Sequence, residues 1–157
     1  MERISVEFLA TFLIWLMYAG LVVLWFIDGK IRKEQVIHAL TAGVIALAIA
    51  FLIKYLFPTL RPFAVNGAST DVLITPTDPS FPSAHMALAF SLAVTIFMHD
   101  RKAGVFYLIG AAAIGFARVL ANVHYPVDIV GGALIGTLTA VIIEKNHMFH
   151  LLRRTVR

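Results

Sequence analysis

Five apolar runs, at residues 4–27, 36–57, 84–98, 104–121 and 127–143, take up most of the chain. A helix needs about 20 apolar residues to cross the hydrocarbon of a bilayer. Lipid offers no partner for backbone N–H and C=O groups, so such runs must satisfy themselves as helices. The third run is short, which is tolerable where protein shields the helix ends or the bilayer thins. The runs therefore predict an all-α fold, a polytopic membrane helical bundle of about five transmembrane helices. At 157 residues, a single membrane-embedded domain over 1–157 is expected. Only 14% of residues are charged, against roughly 25% in soluble domains.

Glu2 and Glu7 spoil a basic leader region and the first run is long for a signal peptide, so an uncleaved first helix is expected. There is no cysteine, which excludes disulfides, thiolate chemistry and cysteine-bound metals. The net charge of +4 does not point to nucleic acid. The bases sit in short clusters beside apolar runs, where they orient the chain and meet anionic headgroups.

Crossing parity sorts the connections onto two sides. Residues 28–35, 99–102 and the tail from Glu144 share one side, and the loop 58–82 and the turn 122–126 share the other, with the N-terminus. Of the 13 Lys and Arg residues, Arg3, Lys54, Arg61 and Arg118 fall on the N-terminal side and the other nine opposite. The positive-inside bias makes the N-terminal side extracytoplasmic and the C-terminus cytoplasmic. All six prolines also lie on the extracytoplasmic side, giving it constrained, non-helical backbone of the kind on which a site is built.

Three stretches bring chemistry to that side. In "KYLFPTLRP", Lys54 lies inside an apolar run near its end and Arg61 follows in the loop. Ionisable groups at membrane depth are costly and seldom idle, although a lysine there can also snorkel to the headgroups. In "FPSAH", Ser83 begins a helix, where free amides and the macrodipole favour anions, and His85 lies in its first turn. In "ARVLANVHYPVD", Arg118 ends the fourth run, and Pro126 suits the first turn of the fifth helix. His124 then stands just outside that helix with Asp128 in its first turn, near enough to hold one imidazole nitrogen and leave the other free. Three cations, a serine with neighbouring amides and two histidines suit a tetrahedral dianion. The acids of the long loop, Asp71 and Asp78, read as isolated, so metal-independent chemistry without a cofactor is expected.

These residues resemble the type-2 phosphatidic acid phosphatase family. Its pattern of Lys, six residues, Arg-Pro is met by Lys54 and Arg61-Pro62, and Pro-Ser-Gly-His by Pro82-Ser83-Ala84-His85. Arg118, His124 and Asp128 repeat the spacing of its third part. Ala84 replaces the usual Gly and Ala117 the usual Ser, so the chain departs from the pattern in one methyl and one hydroxyl but in no charged group. The resemblance implies six helices, one more than predicted here, the missing one expected at the N-terminal side. It implies that His124 attacks phosphorus to form a phosphohistidine oriented by Asp128. His85 then protonates the leaving oxygen and later helps activate water, while Lys54, Arg61, Ser83, Ala84 and Arg118 form the phosphate-binding set. The implied substrate is a membrane lipid with a phosphate headgroup, a polyprenyl diphosphate being favoured over phosphatidylglycerol phosphate or phosphatidic acid.

A non-catalytic lipid-binding or transport bundle would use the same basic pocket, and a purely structural bundle the same apolar runs. The patch "VLIT" at 72–75 suits an interfacial lid or ordinary loop packing. Gly132 and Gly136 have the spacing of close-packed membrane helices. His38, His99, His147 and His150 read as interfacial or tail residues on the cytoplasmic side, and Arg153, Arg154 and Arg157 as headgroup contacts.

Overall fold

The structure, a computed structural model, describes residues 6, 11–27, 30–70 and 75–155. Its elements there are α1 (Leu13–Ile27), α2 (Lys30–Leu56), a short α3 (Pro62–Asn66), α4 (Ala84–His99), α5 (Arg101–Leu120) and α6 (Pro126–Thr155). No strand occurs among the described residues. Most of the 72–75 patch, the start of the first run, Asp71 and Arg157 lie outside them.

The helices outrun the apolar runs that announce them. α2 begins at Lys30 rather than near residue 36, and α6 continues to Thr155 through what reads as a tail. Lys, Arg, Glu and Gln are good helix formers, so the backbone winds on into the interface after the apolar stretch has ended. Hydropathy marks the depth of lipid and says little about where a helix stops.

Among the described residues, three segments are long and apolar enough to cross a membrane: Lys33–Leu56, Arg101–Leu120 and Pro126–Asn146. Leu13–Phe26 and Ala84–His99 are shorter apolar helices. At 1.5 Å per residue the 16 residues of α4 extend only about 24 Å. That length suffices because α4 is the centre of the bundle, packed against α2, α5 and α6. Its Met86, Leu92 and Ile96 are among the most completely buried side chains.

Close approach to α4 is made with small residues. Ala39, Ala42, Ala46 and Ala50, spaced three and four apart on α2, are fully buried. On α6, a Cβ at Gly132 would meet the Ser83 carbonyl and Met86, and one at Gly136 the Ala87 carbonyl and the Ser91 amide. Backbones in such contact gain dispersion energy that lipid cannot supply, which is how small residues associate membrane helices. The Gly132–Gly136 pair therefore fixes the height of α6 against α4, and with it the height of Asp128 against Ser83.

A single residue joins α4 to α5. Asp100 accepts from the Lys102 and Ala103 amides at 2.9 and 3.2 Å, capping α5 as α4 ends. So tight a reversal sends α5 straight back and returns Arg118 to the end of the bundle where His85 begins.

Candidate active site

Lys54 sits in the last turn of α2. Arg61 is the N-cap of α3, in extended conformation, with Pro62 in the first helical position. The α5–α6 turn is sharpened by Asn122, whose φ of 59° is a left-handed conformation that Asn tolerates better than most residues. Asn122 also ties the turn to α3. Its carbonyl accepts from the Phe63 amide at 3.2 Å, and its side-chain amide pairs reciprocally with that of Asn66. The two loops are thus held together, and Arg61 donates to the Val123 carbonyl at 2.8 Å.

Lys54, Arg61, Ala84, His85, Arg118 and His124 all line one cavity of about 140 Å³, together with Phe51, Pro76 and Asp78. That is several times the ~30 Å³ share of a water molecule. Lys54, Arg61, Arg118 and His124 are each no more than 5% exposed. Asp128 and Ser83 are buried but stand off the wall, Asp128 behind His124 and Ser83 beside Ala84. A wider cleft of about 470 Å³ adjoins at Arg61 and Asp78.

The hydrogen bonds assign the tautomer of His124. Its Nε2 lies 3.3 Å from an Arg61 guanidinium nitrogen, which can only donate, so Nε2 must accept. Nδ1 therefore carries the proton and gives it to Asp128 Oδ2 at 3.2 Å. Asp128 is held in turn by the Ser80 hydroxyl at 2.5 Å and the Tyr125 amide at 2.9 Å. The arrangement is a chain, Ser80 to Asp128 to His124, that leaves the lone pair of Nε2 facing the cationic cavity.

Burial lowers the pKa of His124 to about 4, and the Arg118 and Arg61 charges push the same way, against the hydrogen bond to Asp128. Because the pKa is depressed, the neutral imidazole is the form present at any pH above about 4. In ¹⁵N-histidine spectra of the detergent-solubilised protein, the signals missing from His124→Ala should stay those of a neutral ring down to near pH 4. A midpoint near the ordinary 6.5 would contradict this.

Two features lie beyond what the sequence predicts. Asp78 is not isolated: it bridges the cations, 2.9 Å from Lys54 Nζ and 2.9 Å from Arg61. Burial raises its pKa, but the hydrogen bond and charge of Lys54, with Arg61, outweigh burial and hold the carboxyl below its usual range. Ser80, fully buried, is the second. Its amide donates to the Thr59 carbonyl at 2.9 Å, so loop pairing sets its position, and loop pairing leaves no periodic signal. Lys54 also donates to the Pro79 carbonyl, which docks the same loop on the end of α2.

Ser83 occupies the N-cap of α4 but makes no side-chain cap hydrogen bond. Its amide donates to the Asp128 carbonyl at 3.0 Å, while its buried hydroxyl has no partner among the described residues. A buried hydroxyl left unpaired costs about 1–3 kcal/mol, which a ligand oxygen would recover.

The sequence pattern of the PAP2 superfamily matches residues 35–150, which include every residue of this site. The chain belongs to the PAP2 superfamily. Like the superfamily members it matches, it is an integral membrane protein. It is 35% identical over 138 residues to the bacitracin transport permease protein BcrC of Bacillus licheniformis, covering 88% of this chain and 68% of that one. It is 28% identical over 118 residues to the undecaprenyl-diphosphatase BcrC of Bacillus subtilis, covering 75% and 61%. The chain thus spans between 61% and 68% of the length of these two relatives. The crystal structure of Aquifex aeolicus LpxE superposes with a TM-score of 0.74 at 25% identity, over 91% of this chain and 83% of that one.

Proposed function

We propose that this PAP2 chain is a lipid phosphatase that removes the terminal phosphate of a polyprenyl diphosphate, with its site on the extracytoplasmic face. The observation that carries the reading is His124, oriented by Asp128 through Nδ1, with Nε2 facing a cavity walled by Lys54, Arg61, His85 and Arg118. Nε2 attacks the terminal phosphorus, and the bond from phosphorus to the bridging oxygen breaks. The polyprenyl monophosphate leaves, its oxygen protonated by His85. Water, activated by His85, then cleaves the phosphohistidine and returns Nε2 to its starting state. The three cations, with the unpaired hydroxyl of Ser83, hold the equatorial oxygens as charge develops.

A lipid tail is supported by the surface beside the cavity. Phe51 lines it and is itself half exposed on α2, and Tyr55, Phe57 and Leu60 beyond it are largely exposed. The orientation rests on the distribution of bases described above. The relative named an undecaprenyl-diphosphatase supports the substrate class, and the relative named a transport permease supports the competing reading of a bundle that binds without hydrolysis.

Phosphate release from purified protein in EDTA separates them. Undecaprenyl or farnesyl diphosphate should be hydrolysed with kcat/KM at least about tenfold above that for phosphatidylglycerol phosphate or phosphatidic acid. A glycerolipid preference would overturn the substrate and keep the chemistry. Binding of the diphosphate without release would favour transport.

A further inference from the structure

At the opposite end of the bundle, two histidines read from sequence as separate interfacial groups are brought together with an acid at the start of the C-terminal tail. His38 of α2, His99 at the end of α4 and Glu144 of α6 meet there. His38 Nδ1 is 3.0 Å from Glu144 Oε1, and His99 Nε2 is 3.0 Å from Glu144 Oε2. The two imidazole centroids are 5.9 Å apart. One nitrogen from each ring and one carboxylate oxygen all lie within 4.8 Å of one another.

We propose that His38, His99 and Glu144 form a binding site for a divalent transition metal of the zinc type, at the cytoplasmic end of the bundle. Two imidazoles and one carboxylate are a donor set that zinc accepts, with water in the fourth position. Zinc holds such ligands at about 2.0–2.2 Å, which puts neighbouring donor atoms of a tetrahedron roughly 3.3–3.5 Å apart. The two His–Glu separations, one to each carboxylate oxygen, are near that value, and one donor atom from each residue lies within 4.8 Å of the others, so no pair needs to close by more than about 1.5 Å. Each residue comes from a different rigid helix, so closing the site needs side-chain rotation and no change of fold.

Charge and access favour an ion as well. The Glu144 side chain is 5% exposed, and a buried carboxylate is costly unless a positive charge joins it. The His99 side chain is 24% exposed and opens the cluster to water, giving an ion its path of entry. The site lies 14 residues along α4 from His85, about 21 Å at 1.5 Å per residue. A metal there would clamp α2, α4 and α6 without touching the phosphate cavity.

Protein in detergent, stripped with EDTA and dialysed, should bind one equivalent of Zn²⁺ in a calorimetric titration. Co²⁺ used as the probe should give the visible bands of a tetrahedral nitrogen and oxygen site. His99→Asn and Glu144→Gln should each weaken binding at least about tenfold, and His124→Ala should leave it unchanged. Folded wild-type protein that takes up no stoichiometric Zn²⁺ would overturn the proposal, and this needs no variant to fold. Uptake that survives both His99→Asn and Glu144→Gln, or is lost in His124→Ala, would overturn it too.

Discussion

His124→Ala is expected to lower phosphate release by about 10⁴-fold or more, the size of loss that follows removal of a nucleophile from a coupled catalytic set. The ring is 2% exposed and touches Arg61 and Asp128, so its removal leaves a cavity and takes one partner from each, while Arg61 keeps Asp78 and Asp128 keeps Ser80 and the Tyr125 amide. Helix packing around α4 runs through alanines and glycines rather than through that ring. The variant should therefore insert and fold, which a size-exclusion profile and a helical circular dichroism spectrum would check. Wild-type protein quenched in turnover should carry an alkali-stable, acid-labile phosphate that His124→Ala lacks. Activity within about tenfold of wild type in a folded variant would remove His124 as the nucleophile.

The second large effect is expected from Asp128→Asn, about 10³–10⁴-fold in kcat with a smaller change in KM. An amide at this position keeps the shape of the carboxylate but can present its NH₂ to Nδ1. The imidazole would then favour the tautomer with its proton on Nε2, turning the attacking atom into a donor, as happens when the aspartate of a serine-protease triad is amidated. The lost charge also no longer stabilises the imidazole as it becomes positive. His124 Nδ1, Ser80 and the Tyr125 amide all bond the one oxygen Oδ2, so an NH₂ turned to Nδ1 also takes the acceptor from the Tyr125 amide, and a helical circular dichroism spectrum should accompany the kinetics. Single-turnover kinetics would separate the chemical step from binding. A fall confined to KM would show that Asp128 only shapes the pocket.

Much of this site is legible in the sequence because crossing parity and loop position suffice to bring its parts to one end. Lys54, Arg61, His85, Arg118 and His124 each stand at or beyond the end of an apolar run, so counting the runs already places them together. Asp128 is legible for a local reason, since Pro126 starts the helix and fixes a spacing of four from His124. Asp78 and Ser80 are not legible, because their positions depend on loop hydrogen bonds to Lys54, Arg61 and Thr59. His38, His99 and Glu144 fail differently. Parity puts all three on one side, but their meeting depends on the rotation of each helix about its axis. In helices apolar nearly all round, no polar face reveals that rotation.

The bridge that Asp78 makes between Lys54 and Arg61 changes what filling the cavity means. An arriving phosphate does not meet bare cations; it enters by exchange with a carboxylate that already holds two of the three. The attraction it feels is the difference between two anions, so substrate capture is weakened. Departure of the product is eased by the same amount, because the cations it leaves have a partner waiting on the loop. Retention of inorganic phosphate, a hazard for any pocket built from this many positive groups, is thereby opposed from within the chain.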